Sequence, residues 1–152
     1  GRLKVAPEHT SDRTLRQMRK PAFKFFHQFK NKFDRINEKL NLKLQLIPYF
    51  ISSHPESQLE DMANMAAETR DMGFKLEQVQ GFTPTPMTVS TVIYYSGYHP
   101  YTLKKMYTAR SKSEREDQHR FFFWYKKENR KWISNALKKA GRFDLLKKLI
   151  QN

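Results

Sequence analysis

Cysteine is absent from this chain of 152 residues. Without thiols the chain forms no disulfide, no thiolate metal site and no cysteine nucleophile. Long apolar runs are also missing, and none approaches the roughly 20 residues that a membrane-spanning helix needs. No secretory leader pattern follows Arg2, so we expect a cytoplasmic protein without a membrane partner.

Acidic residues are scarce relative to basic ones, with 15 Asp and Glu against 29 Lys and Arg and a net charge of +14. The charge is unevenly spread, because residues 57–100 carry a net −3 and residues 101–152 a net +10. A basic surface attracts nucleic acid, anionic lipid or phosphorylated ligands. The aromatic share of 14% supplies the large buried area that one core needs.

Strand-like and helix-like segments alternate through the first 80 residues. Short apolar runs predict strands at residues 3–6, 44–52 and 75–80, with a bulge or strand start at Pro48. Helical segments lie between them, and Ser57 is the expected cap of the second long helix. This alternation is typical of βαβ units and predicts an α/β fold with about three parallel strands flanked by helices.

The pattern changes after Gly81. Segment 88–96 could be a strand or a helix, and its β-branched and aromatic residues favour a strand by propensity alone. Ser113 is the expected cap of a long helix that runs to about Lys126, and helical patterns follow at 129–140 and 142–150. The sequence therefore predicts a basic, mostly helical tail.

Polar residues follow each predicted strand. Glu8 and His9 come after the first strand, Ser53 after the second, and Gln80 and Phe82 at the end of the third. In parallel sheets the carboxyl ends of the strands share one edge, where ligands bind. The competing interpretation is that Glu8 and His9 only cap the next helix, where a negative charge is favourable. We expect no metal site, since no His, Asp and Glu set has ligand spacing.

A run of five aromatic residues at 121–125 is flanked by cations. Basic and aromatic side chains together suit single-stranded nucleic acid. However, five consecutive rings on a helix point all round it, so several are expected in the core. The cations that remain available for phosphate are Arg120, Lys126, Lys127, Arg130 and Lys131.

Four segments resemble the YgiQ-type radical SAM proteins. They are LKVAPEHTSD at residues 3–12, IPYFISSHP at 47–55, FTPTPMT at 82–88 and ALKKAGR at 136–142. The resemblance implies a parent enzyme with a partial (β/α) barrel that binds a 4Fe–4S cluster and S-adenosylmethionine. The cysteines of the cluster would lie upstream. Residues 1–80 would be the last part of that barrel, and residues 81–152 the domain of unknown function that follows it.

By strand order, the resemblance assigns six residues to the cofactor. Glu8 and His9 would hold the ribose and the amino-acid end of S-adenosylmethionine. The next two strands would contribute the adenine contacts: Ile51, Ser53, Gln80 and Phe82. No catalytic residue is assigned, and the chain alone is expected to hold no cofactor and to be inactive.

Partners follow from the same resemblance. The first is the upstream half of the same protein. A cut barrel also exposes a sheet edge, so we expect the piece to dimerise through that edge or to cover it with its tail. Two rival function classes stay open, an RNA- or DNA-binding module and a purely structural docking tail.

Overall fold

The structure is a computed structural model that describes residues 1–151. The first half contains β1 (Arg2–Glu8), α1 (Asp12–Gln17), α2 (Lys24–Lys39), β2 (Gln45–Ser52), α3 (Leu59–Asp71) and β3 (Gln78–Gly81). The second half contains α4 (Val89–Ser96), α5 (Lys112–Arg120), a 3₁₀ turn (Phe121–Phe123), α6 (Lys127–Lys139), α7 (Phe143–Leu146) and a π-helical turn (Lys147–Gln151).

The three strands form one parallel sheet in the order β1-β2-β3. The predicted α/β fold with three parallel strands and a helical tail is therefore confirmed. The irregularity expected near Pro48 lies on the neighbouring strand. From Val5 to Glu8 the strand β1 advances three residues, whereas β2 advances two from Pro48 to Phe50. Proline has no N–H for the ladder, so the register shifts beside it.

One hydrophobic core joins the sheet to the helical tail. Its buried members from the first half include Leu15, Phe50 and Met62, and those from the second half include Phe121 and Leu137. The predicted domain boundary after residue 80 falls at the end of β3. Buried residues on the two sides of that boundary form a single cluster.

The predicted cap of α3 is wrong by one residue. Gln58 is the N-cap, and its backbone N–H donates to the Asp61 carboxylate at 2.8 Å. The Ser57 hydroxyl instead lies 3.0 Å from His9 Nε2, in the interior. The Ser57 hydroxyl therefore bonds to a buried side chain, His9, instead of capping the helix as the local sequence predicts.

The segment at 88–96, for which the sequence left strand and helix open, is the helix α4. Thr88 caps it, since its hydroxyl oxygen accepts from the backbone N–H of Thr91 at 3.2 Å. Gly97 ends it in the left-handed conformation with φ 77°. Ile93 is fully buried. The two caps and this single buried position outweigh β propensity, which is a weak preference.

The helix α5 begins two residues before the predicted position. Ser111 is its cap, because the Ser111 hydroxyl accepts from Glu114 N at 3.1 Å and Glu114 Oε2 accepts from Ser111 N at 3.0 Å. The helix also ends at Arg120 instead of near residue 126. Phe121 and Phe122 are both 1% exposed, and the chain tightens into a 3₁₀ turn where these consecutive rings enter the core.

Within residues 1–151, every helix is too short or too polar to cross a bilayer.

Candidate functional site

A cavity of about 580 Å³ lies at the carboxyl ends of the strands. We name it the mouth cavity, and it is lined by Glu8, Lys20, Ile51, His54, Gln80 and Phe82, among other residues. Four of the six residues assigned to a cofactor from the sequence thus share one cavity. The register explains the convergence, since Ile51 pairs with Gln80 and Glu8 pairs with Phe50.

Glu8 presents an incompletely satisfied carboxylate. Its Oε1 lies 3.3 Å from Lys20 Nζ. Its Oε2 is buried and accepts no hydrogen bond from residues 1–151. Buried polar atoms are nearly always partnered, so an orphan oxygen in a cavity wall suits a ligand hydroxyl or amine.

Strained backbone also concentrates around the mouth cavity. Glu8, Arg19 and Met87 all line it, with φ of 68°, 55° and 65°. Non-glycine residues pay roughly 1–2 kcal/mol to hold this left-handed conformation. Such strain clusters at functional sites, where surrounding packing maintains it.

His54 and Phe82 form the tail-side wall of the cavity. His54 Nδ1 lies 3.0 Å from the Pro55 carbonyl oxygen, which only accepts, so Nδ1 carries the hydrogen. His54 Nε2 therefore accepts from the Ser90 hydroxyl at 2.9 Å. Burial lowers the pKa of His54 and favours this neutral form. The Phe82 ring meets the imidazole edge-on at 4.9 Å.

Gln80 is fixed by a neighbour on the adjacent strand. The Tyr49 hydroxyl donates to Gln80 Oε1. Tyr49 pairs with Gln78 in the register of β2 and β3. The side-chain amide is therefore held at the end of β3.

His9 lies outside the mouth cavity. It is fully buried, and Nδ1 accepts from the Ser11 backbone N–H at 3.0 Å. Nε2 consequently donates to the Ser57 hydroxyl at 3.0 Å. Desolvation lowers the pKa of His9 to about 4, so the ring is neutral at physiological pH.

Gln118 on α5 completes this network, and the sequence analysis missed it. Gln118 Oε1 accepts from Ser53 N at 2.8 Å and from the Ser57 hydroxyl at 3.0 Å. Gln118 Nε2 donates to the Ser57 carbonyl at 2.6 Å. A glutamine in a strongly polar helix gives no sequence signal of burial, although this one is 1% exposed. The tail thus holds the loop after β2.

Ser53 lies beside the mouth cavity instead of in it. It lines a second cavity of about 480 Å³, which shares Gly81, Phe82 and Thr83 with the first. The part of the chain that the structure describes contains no cluster of three His, Asp or Glu side chains able to hold a metal ion.

The basic and aromatic segment is mainly structural, as expected for its rings. Lys126 Nζ lies 4.4 Å from the Phe123 ring centre, and the Arg120 guanidinium lies 5.0 Å from that of Trp132. Each of these two cations thus lies over the face of one ring, Phe123 or Trp132. The cations at Lys127, Arg130 and Lys131 are exposed.

Together, the sheet and its mouth define an α/β protein with a cavity at the carboxyl ends of parallel strands. Residues 77–149 match the model of a family described as a domain of unknown function, DUF3362. The chain is 60% identical over 149 residues to a UPF0313 protein of Bacteroides thetaiotaomicron and 59% identical to one of Porphyromonas gingivalis, covering 98% of this chain and 24% of each relative. A UPF0313 protein of Clostridium perfringens is 45% identical over 146 residues, 96% of this chain and 22% of the relative.

Over nearly its whole length the chain is therefore similar to UPF0313 proteins, and the family resemblance predicted from the sequence is confirmed. It spans about a quarter of the length of these relatives. No solved structure matches it significantly.

Proposed function

We propose that the mouth cavity is part of the S-adenosylmethionine site of a radical SAM enzyme, to which this chain contributes the C-terminal part. The observation that carries the proposal is the convergence of Glu8, Ile51, Gln80 and Phe82 on one cavity. Its volume lies in the range of small-molecule sites.

The side chains suit the chemistry of this cofactor. The orphan Glu8 oxygen accepts from a ribose hydroxyl or an amine, groups that S-adenosylmethionine carries. Ile51 and Phe82 offer apolar surface to an adenine, and the Gln80 amide offers polar atoms to its edge. In the complete enzyme the cofactor supplies a 5′-deoxyadenosyl radical, while the protein positions and shields it.

The iron–sulfur cluster does not fit residues of this chain. Such clusters are held by cysteine thiolates, and the chain has none. Cluster ligands must come from outside these 152 residues, so we expect the chain alone to be inactive.

The surface of β1 and α2 suits the upstream half of the protein as partner. The β1 edge pairs with no other strand among residues 1–151. Beside it, α2 exposes an apolar face at helical spacing, formed by Phe25, Phe29, Ile36 and Leu40. A further strand and helix from upstream would cover both surfaces. A second copy of the chain is the alternative occupant.

Binding of S-adenosylhomocysteine to the whole protein, measured by calorimetry, tests the proposal. We expect Glu8→Gln and Phe82→Ala each to weaken binding at least fivefold. The matched controls Glu38→Gln and Phe143→Ala, at exposed positions, should leave it unchanged. Unaltered affinity in both cavity variants would contradict the assignment.

A nucleic-acid role is the second candidate, supported by the exposed cations Lys127, Arg130 and Lys131. Phosphate contacts release counterions, so log affinity should fall linearly with log salt, by about 0.7 for each contact on a single strand. The absence of oligonucleotide binding at low salt would exclude this role.

A further inference from the structure

The second cavity, named here the α5 cavity, is a distinct pocket built by α5 and the end of β2. From α5 come Lys112, Arg115 and Arg120, and from the strand end come Ser52 and Ser53. Its floor at Gly81–Thr83 also borders the mouth cavity. A ligand in the α5 cavity therefore contacts the same segment as a ligand in the mouth.

The charge of this cavity favours an anion. Three cationic side chains line it against one carboxylate, Glu116. One of the three, Arg120, also lies over the Trp132 ring and 3.5 Å from the Asp117 carboxylate. Lys112 Nζ lies 3.7 Å from Glu116 Oε1, but the lysine side chain is 85% exposed, so this pair is weak. The Arg115 guanidinium is oriented by the Tyr94 hydroxyl at 3.2 Å and by the Arg110 carbonyl. Arginine held in this way is suited to phosphate.

A second feature points to a ligand. Ser52 and Ser53 are both 0% exposed, and neither hydroxyl oxygen finds a hydrogen-bond partner in the described chain. Buried hydroxyls without partners are costly. Ser53 is also held in a left-handed conformation, φ 61°, while Gln118 binds its backbone N–H. The serine pair is thus set against the cavity with donors unused.

We propose that the α5 cavity binds the phosphate group of a nucleotide-sized substrate, whose reactive part reaches past Phe82 into the mouth cavity. The inference names a substrate class for the function proposed above and rests on it. The volume of about 480 Å³ accommodates one nucleotide. Phosphate would accept from Arg115, Lys112 and the two serine hydroxyls.

Calorimetry on the whole protein with uridine 5′-monophosphate and uridine tests the phosphate contact directly. A uracil nucleotide avoids occupation of the proposed adenine site. We expect the monophosphate to bind at least tenfold more tightly than the nucleoside. Arg115→Gln should abolish most of that preference, and Lys112→Gln should reduce it two- to fivefold. The second variant guards against misfolding, because Lys112 is exposed and α5 does not depend on it.

The matched control is the double variant Lys138→Gln with Lys139→Gln, which removes exposed charge from α6. It should keep the full preference. Equal affinity for the nucleotide and the nucleoside, or an equal loss in the control, would overturn the proposal. A ten-nucleotide oligouridylate shows whether the bound phosphate belongs to a free nucleotide or to an oligonucleotide. Tighter binding of the oligouridylate, compared per nucleotide, indicates an oligonucleotide. Both results support the phosphate contact.

Glu8→Gln separates the two proposals. If it weakens S-adenosylhomocysteine but preserves the nucleotide preference, both sites stand. If the nucleotide preference is present and the cofactor analogue never binds, the proposed function fails while the phosphate site stands.

Discussion

Replacing Gln118 by leucine should destabilise the chain more than replacing an exposed glutamine by leucine. Gln118 accepts two hydrogen bonds, from Ser53 N and the Ser57 hydroxyl, and donates one to the Ser57 carbonyl. Leucine fills a similar volume but makes none of them. The variant therefore tests a polar contact without opening a large void.

The magnitude follows from the groups left behind. One buried backbone N–H, at Ser53, and one buried carbonyl, at Ser57, lose their side-chain partner. Each orphaned group costs about 1–3 kcal/mol. The gain from burying leucine offsets roughly 1–2 kcal/mol of this sum. The two groups together cost about 2–6 kcal/mol, so the midpoints of these ranges give an expected net loss of about 2–3 kcal/mol in the free energy of unfolding.

Urea denaturation followed by circular dichroism measures this loss. The control is Gln28→Leu on the exposed surface of α2, which should change stability by less than about 0.5 kcal/mol. Hydrogen exchange at the Ser53 amide should also accelerate in Gln118→Leu. If that variant were as stable as the control and the amide stayed protected, the network would not hold the loop after β2, and our reasoning would be wrong.

Three further tests address single groups. His9 has a pKa of about 4 in the folded chain against 6.5 in the unfolded chain. The unfolded chain therefore takes up a proton first as the pH falls, and the free energy of unfolding drops by about 3 kcal/mol between pH 6.5 and pH 4. Denaturation at several pH values should show a much weaker dependence of this free energy on pH in His9→Gln. Gly141→Ala should lower the free energy of unfolding by about 1–2 kcal/mol, because Gly141 has a φ of 68° and no atom lies near the added methyl group. The control Gly81→Ala has similar space and no positive φ, so it should change stability little. Ser111→Ala should remove about 1 kcal/mol by uncapping α5, and Ser113→Ala should change stability by less than about 0.5 kcal/mol if Ser111 is the true cap.

Periodicity predicted the sheet, and the positions of the strand ends placed Glu8, Gln80 and Phe82 at one edge, whereas Ile51 was assigned only through the family resemblance. Those features depend on local patterns: the apolar run of β2 and the polar residues Glu8 and Gln80 at strand ends. Because the carboxyl ends of parallel strands share one edge of the sheet, these patterns predict that the polar residues lie close together there. Little tertiary information was needed.

The wrong assignments of Ser57 and His9 share a physical cause. Ser57 was assigned to a helix end, but its hydroxyl binds His9, which is 48 positions away. His9 was assigned to the mouth, yet its place in the interior depends on Gln118, 61 positions beyond Ser57. Such long-range contacts leave no mark in local sequence. For α4 the sequence left strand and helix open, and in the structure its two caps outweigh the strand propensity of its aromatic residues.

The contacts of the tail bear on what the DUF3362 domain does. The matched region begins at residue 77, just before β3, so it contributes a strand to the sheet as well as helices. Gln118 holds the loop after β2, and Phe121 and Phe122 enter the core beside Met62. A freely tethered module would share neither a sheet nor a core with the preceding segment. The region that matches DUF3362 is therefore part of the same folded unit, and its residues Gln80, Phe82 and Ser90 line the mouth cavity.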